Sequence, residues 1–184
     1  MNRSGRLFGS LMWLLLAPQI HAQNWCSLGV AHPQAPAETA QFAFLLGDHD
    51  VTLHGWTAAG WSPPRPINAQ WRGRYALDGH AITDEWIDPN AESENIGVNV
   101  RMFDSAAQLW KMMWISTSGK TVQDLRAQLR DGVLTMWQVH PPRPGWKAEF
   151  ESISESSWAR VGYQQDAAGE WQPQFRLVAI RKPC

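Results

Sequence analysis

The sequence predicts an all-β protein, an antiparallel barrel or sandwich with several of its tryptophans on the covered face. Three observations predict it. Asp78-Gly79 and Asp131-Gly132 each sit between runs of strand-forming residues, and a longer loop after Asp104 repeats the arrangement before Trp110. Asp-Gly suits a two-residue type I′ turn, because both central residues reach positive φ, so each pair sets which residues oppose one another. Strand-like runs also recur at short intervals with turn signals between them and no convincing 3.6-residue period.

The chain opens with the pattern of a secretory leader over residues 1–22. Arg3 and Arg6 start it, Leu7 to Ala17 is apolar, and Ala22 ends it with a small residue. The apolar run is shorter than the roughly 20 residues of a membrane helix, and no later segment could span as a helix. Loss of Arg3 and Arg6 with the leader leaves 14 basic against 17 acidic residues. That balance argues against nucleic acid, whose binding needs clustered Lys and Arg. The expected location is periplasmic or secreted. Cys26 and Cys184, one near each end of the mature chain, are expected to form a disulfide in an oxidising compartment. Gln23-Asn24-Trp25 before Cys26 lacks the small residues of a lipoprotein signal.

Residues 23–40 read as an arm, rich in Pro, Ala and Gln from Ala31 to Ala40, and 41–184 as a single β domain, with a short helix near Ala37 to Leu46. Strands are expected at roughly 49–56, 69–77, 80–87, 96–103, 109–117, 120–130, 133–140, 146–153, 157–165 and 171–181. The run 121–130 also fits a helix face, but the Asp-Gly that follows favours a hairpin. Trp61-Ser62-Pro63-Pro64-Arg65-Pro66 and Pro141 to Gly145 are expected to be loops, since proline cannot donate in a ladder.

The turns assign faces. Around Asp78-Gly79, Tyr75 opposes Ile82, Gly73 opposes Asp84 and Trp71 opposes Trp86. Arg72 opposite Glu85 and Arg74 opposite Thr83 fall on the other face, which belongs in water. In the next hairpin Phe103 opposes Trp110, Arg101 opposes Met112 and Asn99 opposes Trp114. Both faces there are apolar, and the one carrying Arg101 is assigned inward. Asp84 and Arg101 then lie on adjacent strands of one concave face. In the third hairpin Leu129 opposes Leu134, Ala127 opposes Met136, and Trp137 lies outside beneath Arg126, a cation–π contact.

The stretch Gln41-Phe42-Ala43-Phe44-Leu45-Leu46-Gly47-Asp48-His49-Asp50-Val51 resembles the opening of bacterial secreted calycin-like proteins of unknown function, related to lipocalins and fatty-acid-binding proteins. Val98 to Asp104 with Trp110, Trp114 and Ile115, and the closing strand from Trp171 to Arg181, are similar too. The resemblance implies an up-and-down barrel of about ten strands with a short N-terminal helix, and no particular ligand. His49 stands where that family usually has tryptophan. In lipocalin-like barrels this ring plugs the floor beneath an arginine of the last strand, a place for Arg176 or Arg181.

The functional expectation is a binding protein that holds a small, largely apolar or amphipathic ligand. Trp71, Tyr75, Trp86 and Trp114 would be its walls, with Asp84, Asn99 and Arg101 meeting a polar part. The alternatives are an isomerase or hydrolase using Asp84 as base, and a filled barrel serving as an interaction surface. No cofactor is indicated. Asp48, Asp50 and His54 share one strand face but lack a recognised metal spacing. No histidine follows His140 for a haem site of the related type, and there is no G-x-S-x-G elbow or phosphate loop. An outer-membrane barrel would need an outward apolar band, where Arg72, Arg74 and Glu85 are expected.

Overall fold

The computed structural model describes residues 27–88 and 95–183. The leader, Cys26 and Cys184 lie outside the described residues. A 3-10 helix, Ala37–Leu45, precedes β1 (Gly47–Thr57), β2 (Gly60–Trp61), β3 (Arg65–Ala76), β4 (Ala81–Asp88), β5 (Asn95–Asp104) and β6 (Leu109–Ser116). Then follow β7 (Val122–Arg130), β8 (Val133–His140), β9 (Trp146–Glu151), β10 (Ser157–Gln165) and β11 (Trp171–Arg181). Each long strand runs antiparallel to its neighbour, and β1 also pairs with β11, which closes a ten-stranded barrel; β2 pairs only with β1. The all-β, antiparallel up-and-down barrel with its short helix is the predicted fold.

Both Asp-Gly pairs take positive φ. Asp131 and Gly132 have φ of 51° and 78° between the paired Arg130 and Val133, as a two-residue type I′ turn requires. Asp78 and Gly79 have φ of 55° and 82°, but Leu77 is left-handed too, at 50°, and the ladder stops at Ala76 and Ala81, so this loop spans four residues. Both hairpins keep the expected register: Trp71 faces Trp86, Arg72 faces Glu85, Leu125 faces Gln138 and Ala127 faces Met136. The hairpin of β5 and β6 joins Phe103 to Trp110, Arg101 to Met112 and Asn99 to Trp114. Asn99, Arg101, Trp110 and Met112 are buried, whereas Met102 and Met113 are about half exposed. The face carrying the arginine is therefore the interior.

One end of the barrel is closed by the 3-10 helix. Phe42 and Leu45 are fully buried, and the Phe42 ring stands edge-on to Trp110 at 4.8 Å and to Phe150 at 5.4 Å. The segment forms 3-10 rather than α turns, with Thr39 N–H donating to the Pro36 carbonyl and Leu46 N–H to the Ala43 carbonyl. Gly73 lets it approach: a Cβ there would lie 2.0 Å from the Leu45 carbonyl oxygen. His49 enters this floor, fully buried, with its ring 5.9 Å from that of Trp158. Arg181 pairs with it across β1 and β11 and reaches the Phe44 carbonyl at 3.5 Å. Arg176 instead bonds Glu151 on the outside. The histidine and Arg181 thus occupy the positions implied for the plugging ring and its covering arginine.

Three details depart from expectation. Arg65 and Pro66 belong to β3 rather than to a loop. The β1–β3 register shifts between Val51, opposite Ala69, and Leu53, opposite Arg65, so Pro66 falls where the ladder is interrupted and its missing donor is not needed. The Arg126 guanidinium bonds the Asp124 carboxylate of its own strand, while Trp137 is its cross-strand neighbour. Finally, β2 was not anticipated. It folds back on the end of β1 so that Trp56 and Trp61 meet edge to face at 4.8 Å, both partly exposed.

Candidate functional site

The open end of the barrel holds a two-lobed cavity. The larger lobe, about 480 Å3, is bounded by Trp71, Trp86, Trp114, Phe175, Leu53 and Leu177 among others. The smaller, about 170 Å3, is bounded by Asn99, Gln138, Arg143, Trp146, Leu125 and Met136. Trp114, Gln123 and Arg160 border both lobes, so the two adjoin at these side chains. Two glycines make its ring positions possible. A Cβ at Gly97 would sit 2.2 Å from the Trp114 ring, and one at Gly162 would sit 2.2 Å from the Phe175 ring. Each indole or phenyl ring therefore lies flat across a strand that has no side chain to lift it.

Sequence reasoning named seven residues here, and the structure divides them. Trp71, Trp86 and Trp114 border the larger lobe, and Asn99 the smaller. Tyr75 shares the inward face but lies at the floor end, where its N–H donates to the Leu28 carbonyl of the arm at 2.8 Å; it borders neither lobe. Sharing a face does not mean sharing a depth. Asp84 and Arg101 also border neither lobe. They form a closed, two-point ion pair, Nε to Oδ2 at 2.6 Å and Nη2 to Oδ1 at 3.1 Å, with no exposure of either side chain. Arg101 also donates to the Met112 sulfur and lies over the Phe42 ring at 4.8 Å. Burial pushes the Asp84 carboxyl above the ordinary carboxylate range, while Arg101, and less so Arg160, pull it back. The pair is part of the packing beneath the hollow.

Arg160 was missed. It sits inward on β10, opposite Phe150 on one side and Leu177 on the other. Its guanidinium carbon lies 5.3 Å from the Trp71 ring centre and 5.9 Å from that of Phe175. Desolvation, with some repulsion from Arg101, lowers its pKa to about 10, so it remains cationic at neutral pH. The Nε is buried without a hydrogen-bond partner. Trp158 and Arg160 lie two apart on one face, but Ala159 and Val161 are buried as well, so no clean alternation marks the inward set. Arg143 at the rim, over the Trp146 ring at 4.9 Å, and Phe175 were missed as well.

His49 is chemically unusual. Neither ring nitrogen has a hydrogen-bond partner. Burial first, and the Arg181 charge second, lower its pKa to about 4; nearby backbone carbonyls of Trp71, Gly47 and Phe44 oppose this without forming a bond to either nitrogen. It is a neutral packing ring remote from the mouth.

No protein-family model matches this sequence, and no curated protein does. Solved structures of similar fold exist. The S-type phycobiliprotein lyase CPES from Guillardia theta aligns over 79% of this chain and 92% of its own, with a TM-score of 0.51 at 10% identity. Rv2717c from M. tuberculosis aligns over 81% of this chain and 99% of its own, with a TM-score of 0.48 at 8% identity. The likeness to the lyase is one of fold: a calycin-like barrel, the architecture built here from β1 and β3 to β11.

Proposed function

We propose that this protein is a periplasmic or secreted binding protein that holds a small, largely apolar ligand in the open half of its barrel. One observation carries the reading: a hollow of about 480 Å3 bordered by Trp71, Trp86, Trp114 and Phe175 at the open end of the barrel. Hollows of this size with few polar groups suit small ligands. Placement in the bacterial secreted calycin-like family belongs to the same proposal, and rests on the motifs around Phe42 to Val51 and on the barrel.

Export is supported by the leader pattern of residues 1–22. The proposed Cys26–Cys184 disulfide is supported by their described neighbours. Leu28 is bonded to Tyr75, and Lys182 N–H donates to the Asp48 carbonyl at 2.7 Å, both at the floor end. Fold likeness does not choose between binding and catalysis, and the similar barrel of Guillardia theta is a lyase by name. In this chain the carboxylate considered as a base, Asp84, is engaged at both oxygens by Arg101, which favours the binding reading.

The test is titration of the mature protein with the neutral apolar fluorophore N-phenyl-1-naphthylamine, read by energy transfer from tryptophan. Trp86→Ala should weaken binding about tenfold or more, the loss from removing a buried ring from a pocket. Trp137→Ala, on the outer face beside Gln128 and Thr135, should change it less than about twofold. Equal losses would refute the site.

A further inference from the structure

We propose that the ligand of this hollow is an amphiphile with an oxyanion head, and that Arg160 receives the head in the smaller lobe while the larger lobe takes the apolar body. The proposal rests on the reading of the hollow as a ligand site and adds the ligand's charge and orientation.

Charge around the cavity points one way. The charged side chains bordering the lobes, among the described residues, are Arg65, Arg143 and Arg160. No carboxylate joins them, although the whole chain has 17 acidic residues against 16 Lys and Arg. Arg160 has no ion-pair or hydrogen-bond partner among the described residues. The carboxylate that bears on it, Asp84, already has both oxygens bonded to Arg101. An interior cation is costly unless a counter-charge meets it, and a guanidinium offers a planar fork matched to a carboxylate or phosphate.

Trp71 and Phe175 rings stand beside the guanidinium, and its Nε is buried without a hydrogen-bond partner, so a ligand's oxyanion would be the counter-charge that the described residues do not supply. The smaller lobe brings a second cation, Arg143, together with Arg160, and the side-chain amides of Asn99 and Gln123 border it. Four aromatic rings and two leucines line the larger lobe, with Arg65, Ser116 and Ser118 also on its border. Since Arg160, Trp114 and Gln123 border both, one molecule can place its head in the first and its body in the second. The depressed affinity of Arg160 for its proton agrees with a cation held where water compensates it poorly.

The same recognition would serve a carboxylate or a phosphate, and the experiment separates them. Calorimetric titration uses dodecanoate, dodecyl phosphate and dodecan-1-ol against wild type, Arg160→Gln and Arg160→Lys. In wild type one or both oxyanions should bind about tenfold or more tightly than the alcohol, the worth of a charge-assisted bond. The margin should shrink with added salt. Arg160→Gln should abolish it while leaving dodecan-1-ol within about twofold, and Arg160→Lys should restore part of it. Equal wild-type affinities for alcohol and oxyanions, with the alcohol still bound, would overturn the charge assignment alone. Failure of all three amphiphiles and of the neutral fluorophore would overturn the cavity reading and this one together. If Arg160→Gln does not fold, the wild-type margin and its salt dependence decide.

Discussion

Replacing His49 by phenylalanine should remove a specific part of the protein's acid sensitivity. The imidazole is fully buried, faces the Trp158 ring and Arg181, and has its pKa lowered from 6.5 to about 4. A base whose folded pKa is depressed stabilises the fold above its unfolded pKa and loses that contribution as pH falls toward the folded value. Here the window runs from 6.5 down to about 4. Linkage makes the loss about 2 kcal/mol between pH 7 and 5 and about 3 kcal/mol by pH 4. Asp84 is shifted upward and titrates in the opposite sense, but it is common to both proteins and cancels in their difference. Urea unfolding at pH 7, 6, 5 and 4 checks this. The wild-type midpoint should fall by about 1 M more than that of His49→Phe between pH 7 and 5, for a slope near 2 kcal/mol per M. Parallel midpoints would refute the burial argument. So would an imidazole whose NMR resonances titrate near their ordinary pH.

Three further outcomes follow from the packing. Gly97→Ala should push the Trp114 ring, 2.2 Å from the new Cβ, into the hollow; fluorophore affinity should fall with only a modest fall in melting temperature. Gly73→Ala meets the Leu45 backbone carbonyl rather than a mobile side chain, so calorimetry should show a loss above about 2 kcal/mol, at the severe end for one added methyl. Asp84→Asn should cost about 3 to 5 kcal/mol by stranding Arg101, whereas the double change Asp84→Leu with Arg101→Met should recover most of it. Chemical denaturation of the single and double variants decides, and equal losses would show that the pair itself is the source of stability.

What was legible in the chain came from its turns. Asp78-Gly79 and Asp131-Gly132 impose φ values few other dipeptides accept, so the facing of Trp71 with Trp86 and of Ala127 with Met136 could be read before any coordinates. Depth along the barrel could not. Tyr75 and Trp71 share a face by alternation, yet four residues of rise separate floor from hollow, and local sequence carries no mark of which end is plugged. The proximity of Asp84 to Arg101 was readable; their closure into a two-point pair depends on side-chain reach that register leaves open. Arg160 escaped because β10 has no tight turn beside it, and an arginine between small and apolar residues reads equally well as a solvated one. Pro66 misled for a related reason: a ladder interruption is a property of two strands, Val51 to Leu53 against β3, and neither strand shows it alone.

The helix wedged under the strands makes the barrel a blind tube. Phe42 and Leu45 are fully buried at that end, so a ligand of the proposed site would enter and leave between the tryptophans at the other. A donor and an acceptor of that ligand would then take turns at one rim.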